Sequence, residues 1–157
     1  MIRTLTVGGN PREELMCRLR FLQDVEVPVL RSGWAEPGQL GTAALRVFSE
    51  REIRDINRLL SQMDGPMADV GPSEPVRVND CVTVRDEVDG TVEEFVVHDE
   101  GLVVRAAGFI SADTPLGRAV LGKRTGQDFA VVTAAGSRPY RVSSVRRSVP
   151  AASRIAN

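Results

Sequence analysis

The chain has 157 residues, of which 42% are apolar and 26% charged, with 20 basic side chains against 21 acidic ones. That length gives one ordinary domain or two small ones, and that composition describes a soluble globular protein rather than a disordered or membrane one. The near-balance of charge gives no basic surplus for phosphate neutralisation, so strong independent nucleic-acid binding is not expected.

No apolar run reaches bilayer length, and the first residues lack both a basic start and a continuous apolar stretch of signal-peptide type, so a cytoplasmic protein without a membrane partner is expected. Cys17 and Cys81 are far apart, in no CxxC spacing, and the single histidine, His98, stands elsewhere. Neither a zinc site nor a disulfide framework follows, and no metal or other cofactor is expected.

In chain order, Asn10 can cap a helix, Pro11 suits its first position, and Glu13 and Glu14 complement the dipole. Leu15, Leu19 and Leu22 recur at four and three residues, which places them on one narrow seam. Glu26 takes the next seam position and Pro28 removes a backbone donor, so the helix is expected to kink or end near Val27. Gly33, Pro37, Gly38 and Gly41 mark a reversal with Trp34 as its one large apolar group. A second helix follows, with Ile53, Ile56, Leu60 and Met63 as its seam and Glu50, Arg51, Arg54, Asp55 and Arg58 on its polar faces. Two seamed helices across a turn make an antiparallel hairpin or half of a small bundle, and periodicity does not separate the two.

Gly65, Pro66, Gly71, Pro72 and Pro75 interrupt both helix and strand, so residues 65–75 read as a linker between a helical unit, 1–64, and a second unit, 76–149. That second unit carries short β-branched runs at 82–84, 91–97, 102–104, 129–133 and 140–145, with a turn at Asp89 and Gly90. Within it, Thr114 can cap and Pro115 can open a short helix whose apolar face is Leu116, Val120 and Leu121 and whose end is Gly122. The fold class expected is α+β, a helical hairpin followed by a mostly antiparallel sheet with one short helix on it. Residues 150–157 have few apolar anchors and are expected to be a flexible tail.

The segment Ile110-Ser111-Ala112-Asp113-Thr114-Pro115-Leu116-Gly117-Arg118-Ala119-Val120-Leu121-Gly122-Lys123 resembles the signature of the C-terminal domain of the Gre transcription factors, in which I-S-x-[DN]-[ST]-P precedes a short helix ending in L-x-G-K. Gly126-Gln127-Asp128-Phe129-Ala130-Val131-Val132, then Ala135-Gly136 and Tyr140-Arg141-Val142, is similar to that family's closing strands and their glycine turn. Arg18-Leu19-Arg20-Phe21-Leu22 followed by Pro28 resembles the pattern of its first helix. The resemblance implies a coiled-coil finger, an FKBP-like C-terminal domain, and bacterial RNA polymerase as partner, bound by a monomer at the rim of the secondary channel. It also implies that Asp113, Thr114, Pro115 and Leu116 lie in the loop touching that rim, although Asp-Thr-Pro is equally a good helix cap with no partner needed.

At the finger tip the resemblance fails. Active members carry an acidic motif, roughly D-x-x-E-N, whose carboxylates help hold a magnesium ion in the polymerase and position a water, so that the polymerase cuts its own backtracked transcript. Here the turn reads Gly33-Trp34-Ala35-Glu36-Pro37-Gly38-Gln39-Leu40, with one acid and no Asn partner. The interhelical stretch is also shorter than the family's by about ten residues, which costs about 7 Å of reach when shared between two arms. Asp24 and Glu26 are two apart and point to different sides of a helix, so they do not replace the pair. Glu36 is the one acid at the tip, equally a solvated turn residue, and Trp34 either makes a tip contact or closes the end of its own hairpin.

The reading these features favour is a polymerase-binding elongation regulator, not itself an enzyme, without strong cleavage stimulation. The alternatives are an active cleavage factor using Glu36, with magnesium shared with the polymerase, a polymerase-tethered adaptor, and a peptidyl-prolyl isomerase. The last rests on fold analogy alone, because Phe95, Phe109, Phe129 and Tyr140 also suit strand cores.

Overall fold

The computed structural model describes residues 9–32 and 40–149. Trp34, Glu36 and the tail from 150 lie outside the described residues.

Asn10 starts the first helix as its chemistry requires, its side chain accepting the Arg12 amide at 3.0 Å with Pro11 in the first turn. Helix α1, Pro11–Phe21, runs into a π turn, Leu22–Glu26, and on into α2, Val27–Arg31. The helix expected to kink or end near Val27 therefore continues through Pro28. Proline has no N–H for the carbonyl one α-turn back, and the preceding turn is widened, with the Val27 amide reaching the Leu22 carbonyl. One extra residue in that turn moves the seam from Glu26 to Val27, which is buried, as Leu15 and Leu22 are.

Helix α3, Leu40–Gln62, buries Ser49, Glu52, Ile56 and Leu59, and Met63 just past its end continues the same spacing of three and four. The expected seam was right at Ile56 and Met63. At Ile53 and Leu60 it was one step to the side, since both are only partly buried against the core. The two helical stretches run antiparallel: Arg12 reaches the Leu60 and Met63 carbonyls, Arg18 reaches Glu52, and Arg31 reaches Glu50.

The sheet is built from β1 (Met67–Asp69), β2 (Cys81–Asp86), β3 (Val92–His98), β4 (Phe109–Ser111), β5 (Asp128–Thr133) and β6 (Gly136–Ser148), with helix α4 (Pro115–Val120) between β4 and β5. Its order is β1-β6-β2-β3-β4, and β5 also pairs with the first half of β6. Every pairing is antiparallel except β3 with β4, which makes the sheet mixed. Two stretches differ from the local expectation here. Strand β1 lies inside the stretch expected as linker, and 102–104 is not a strand, because the amides of Val103 and Arg105 bond to Asp55 and Glu52 of α3 at 2.9 and 2.7 Å instead of to a neighbouring strand.

Strand alternation sends neighbouring residues to opposite faces, and both faces are covered. Val82, Val84, Phe95, Val97 and Ile110 join Leu116 and Val120 of α4 in one core. Cys81, Val96 and Phe109 join Leu15, Leu22, Ile56, Leu59 and Met63 in another. The helical N-terminal part and the sheet thus share a core, and each large aliphatic side chain fully buried there contributes about 1.5–3 kcal/mol.

Candidate docking site

The turn from β4 into α4 is specified by its own hydrogen bonds. Thr114 is extended at φ −69° and ψ 155°, its Oγ1 accepts the Gly117 amide at 3.1 Å, and the same hydroxyl donates to the Ser111 carbonyl at 2.7 Å. The Ala112 amide donates to the His98 carbonyl at 2.9 Å, tying the turn to the end of β3. Gly117 has no room for a side chain, since a Cβ there would lie 2.4 Å from the Ser111 carbonyl oxygen. The capping role available to Thr114 and Pro115 is therefore realised. Asp113 and Pro115 are exposed on this turn, while Leu116 points into the core.

Beside the turn lies a cavity of about 620 Å³. Asp113, Thr114, Pro115 and Leu116 form one side of it, Val131 and Tyr140 contribute from the closing strands, His98 from the end of β3, Glu100 and Arg105 from the segment after it, and Phe48 from α3. Of the four C-terminal aromatics singled out in the sequence, Phe95 is fully buried and Phe129 nearly so, whereas Phe109 and Tyr140 line the cavity.

The segment carrying Arg105 is held by α3. Glu52, fully buried, accepts from the Arg105 amide and Nε at 2.7 Å each and from Arg18 Nε and Nη2 at 3.0 and 3.1 Å. Glu26 accepts from Arg105 Nη2 at 2.8 Å and from the Ser49 hydroxyl. Burial works to raise the Glu26 carboxyl, but the Ser49 and Arg105 hydrogen bonds and the Arg105 and Arg18 charges outweigh it and hold it below the ordinary range. The Arg105 guanidinium also lies over the Phe48 ring, 4.9 Å from its centroid.

His98 is almost fully buried and its Nδ1 lies 2.9 Å from the Asp99 carbonyl oxygen. Burial pushes its pKa below the ordinary value, against the pull of that carbonyl and of Asp99, Asp113 and Asp55. Tyr140 is raised, by burial first and then by the Glu93 and Asp86 charges. Among the described residues no group of three or more His, Cys, Asp or Glu could hold a metal ion, and no helix is long and apolar enough to cross a membrane. Apolar walls with exposed carboxylates at Glu100 and Asp113 suit the capture of a partner's side chain.

The structure brings Asp113, Thr114, Pro115 and Leu116 together on one side of this cavity, while Trp34 and Glu36 fall outside the described residues. Sequence reasoning missed Phe48, Glu52 and Arg105. Glu52 had a usable signal, because it stands four residues before Ile56 on the buried face, but nothing local marks Phe48 or Arg105.

The family described as transcription elongation factor, GreA/GreB, C-terminal, matches residues 71–147. Among curated relatives, the transcription elongation factor GreA of Chloroflexus aurantiacus is 31% identical over 152 residues, covering 90% of this chain and 96% of its own. GreA of Chloroflexus aggregans is 33% identical over 142 residues, covering 90% and 85%. Of solved structures, Thermus aquaticus Gfh1 covers 85% of this chain and 92% of its own at 21% identity and a TM-score of 0.42.

Proposed function

The chain belongs to the GreA/GreB family of transcription elongation factors, and from that membership we propose that it binds bacterial RNA polymerase at the rim of the secondary channel and regulates elongation without strongly stimulating transcript cleavage. The observation that carries docking is the β4–α4 turn. It lies inside the matched stretch, 71–147, and it presents the exposed Asp113 and Pro115 beside a cavity. We read the antiparallel helices as the family's coiled-coil finger, 1–64, residues 65–75 as the connection, and the sheet with α4, 76–149, as the FKBP-like docking domain. The protein works as a cytoplasmic monomer with no strong nucleic-acid binding of its own.

The cleavage half of this reading rests on the tip sequence. Cleavage is the polymerase's own chemistry, metal-assisted phosphodiester hydrolysis, and a finger contributes by adding carboxylates that help hold magnesium and orient water. Residues 33–39 contain the single acid Glu36, and one carboxylate does not supply that pair. Cleavage of backtracked transcript by purified polymerase tests this directly. The expected result is no acceleration over the polymerase's intrinsic rate and slower cleavage when the chain competes with an active GreA. Strong acceleration abolished by Glu36→Ala would establish the opposite, an active cleavage factor.

A further inference from the structure

The docking cavity has a wall that the β4–α4 turn does not provide. Phe48 belongs to α3, is 41% exposed, and lines the same cavity as Asp113, Thr114, Pro115 and Leu116. Its ring is not loose, because the Arg105 guanidinium covers it at 4.9 Å and that guanidinium is fastened to Glu52 and Glu26. The helical part of the molecule therefore sets where one side of the cavity stands.

The charges around the cavity are unequal. Arg105 already has its two carboxylate partners, Glu26 and Glu52. Glu100 and Asp113 are exposed, line the cavity, and make no salt bridge among the described residues. The interior between them is apolar, with Ile110, Leu116 and Val131 lining it, and about 620 Å³ is enough for a large side chain. An occupant that matches this site is apolar at its centre and positive beside it.

Resting on the polymerase-docking reading, we propose that the docking site is composite. A polymerase segment inserts an apolar side chain between Phe48 and the β4–α4 turn, while a Lys or Arg beside it in that segment meets Asp113 and Glu100. The helical part then contributes affinity through Phe48 as well as whatever its tip does, and Phe48 is a binding and specificity residue.

Binding of the full chain to purified bacterial RNA polymerase tests this with four variants: Phe48→Ala, Asp113→Asn, Glu100→Gln and Val47→Ala. Phe48 is exposed enough that truncation leaves the fold standing, which the thermal midpoint checks. Val47, 60% exposed on the same helix and not lining the cavity, is the control. Phe48→Ala is expected to weaken binding about tenfold, with Val47→Ala unchanged. Asp113→Asn and Glu100→Gln are expected to weaken it by about threefold each at low salt, the effect shrinking as salt rises. Wild-type affinity in Phe48→Ala alongside weakened Asp113→Asn overturns the composite site and leaves docking by the turn intact. Wild-type affinity in all of the cavity variants overturns the docking reading itself.

Discussion

Glu52 on α3 grips Arg105, in the segment between β3 and β4, through two hydrogen bonds of 2.7 Å, one from the backbone amide and one from the guanidinium. Because Glu52 is fully buried and also receives Arg18, its carboxylate closes the helices onto the sheet at a point with no strand pairing of its own. Glu52→Ala is expected to cost about 3 kcal/mol, since it strips two guanidinium groups of their partner and frees the Arg105 amide. Glu52→Gln is expected to cost less, because it keeps the acceptor oxygen. Urea denaturation of the two variants checks both the size and the order.

The β4–α4 turn is predicted to reject a methyl group. Gly117→Ala places a Cβ against the Ser111 carbonyl at 2.4 Å and against Thr114 Oγ1 at 3.0 Å. The expected loss of stability is about 1–3 kcal/mol, seen as a lower denaturation midpoint, and the turn has to open to relieve the clash.

Thr114 separates capping from contact. Thr114→Ala removes the acceptor for the Gly117 amide and is expected to cost about 1 kcal/mol, whereas Thr114→Ser keeps the cap. If the residue only caps, polymerase affinity follows folding stability in both variants. If it also touches the partner, Thr114→Ser folds normally and binds more weakly, and titration of both variants against polymerase distinguishes the cases.

His98 gives the fold an acid-side dependence. Its folded pKa is depressed by burial, so on acidification the unfolded chain takes up the proton first. The contribution is complete above about pH 6.5, falls as pH drops below that value by at most about 1.4 kcal/mol per unit, and levels off below the folded pKa. His98→Gln is expected to flatten the midpoint-versus-pH curve on the acid side of about pH 6.5, measured by thermal melts. An unchanged slope would remove His98 from the account.

The two thiols are predicted to differ. Cys17 is exposed, while Cys81 is buried beside Glu94 and Arg146, with burial and then the Glu94 charge pushing its pKa up to about 12. Native protein at neutral pH is expected to take up one equivalent of alkylating reagent, at Cys17, and unfolded protein two. Peptide mapping after labelling identifies the site.

Much of the local structure was legible in the sequence because it depends on neighbours along the chain. Asn10 with Pro11, Thr114 with Pro115, and Asp89 with Gly90, at φ +77°, each build their cap or turn from residues within a few positions. What was not legible depends on distant partners. The run at 102–104 has strand-forming composition, yet Asp55 and Glu52 on α3 take the amides of Val103 and Arg105. Met67–Asp69 becomes a strand because the far end of β6 offers it an edge. The π turn before Pro28 shifts burial from Glu26 to Val27, which a strict spacing of three and four does not anticipate. The β4–α4 turn was legible because its signature is contiguous, whereas Phe48 and Arg105, 57 positions apart, meet only in the folded molecule.

Docking on polymerase is the claim on which the rest depends, and the most direct measurement is equilibrium binding of the full chain to purified bacterial RNA polymerase, followed by competition with an active GreA. The account predicts saturable binding that GreA displaces, weakened by Asp113→Asn. Absence of binding at micromolar concentrations, or binding that GreA does not displace, would contradict it.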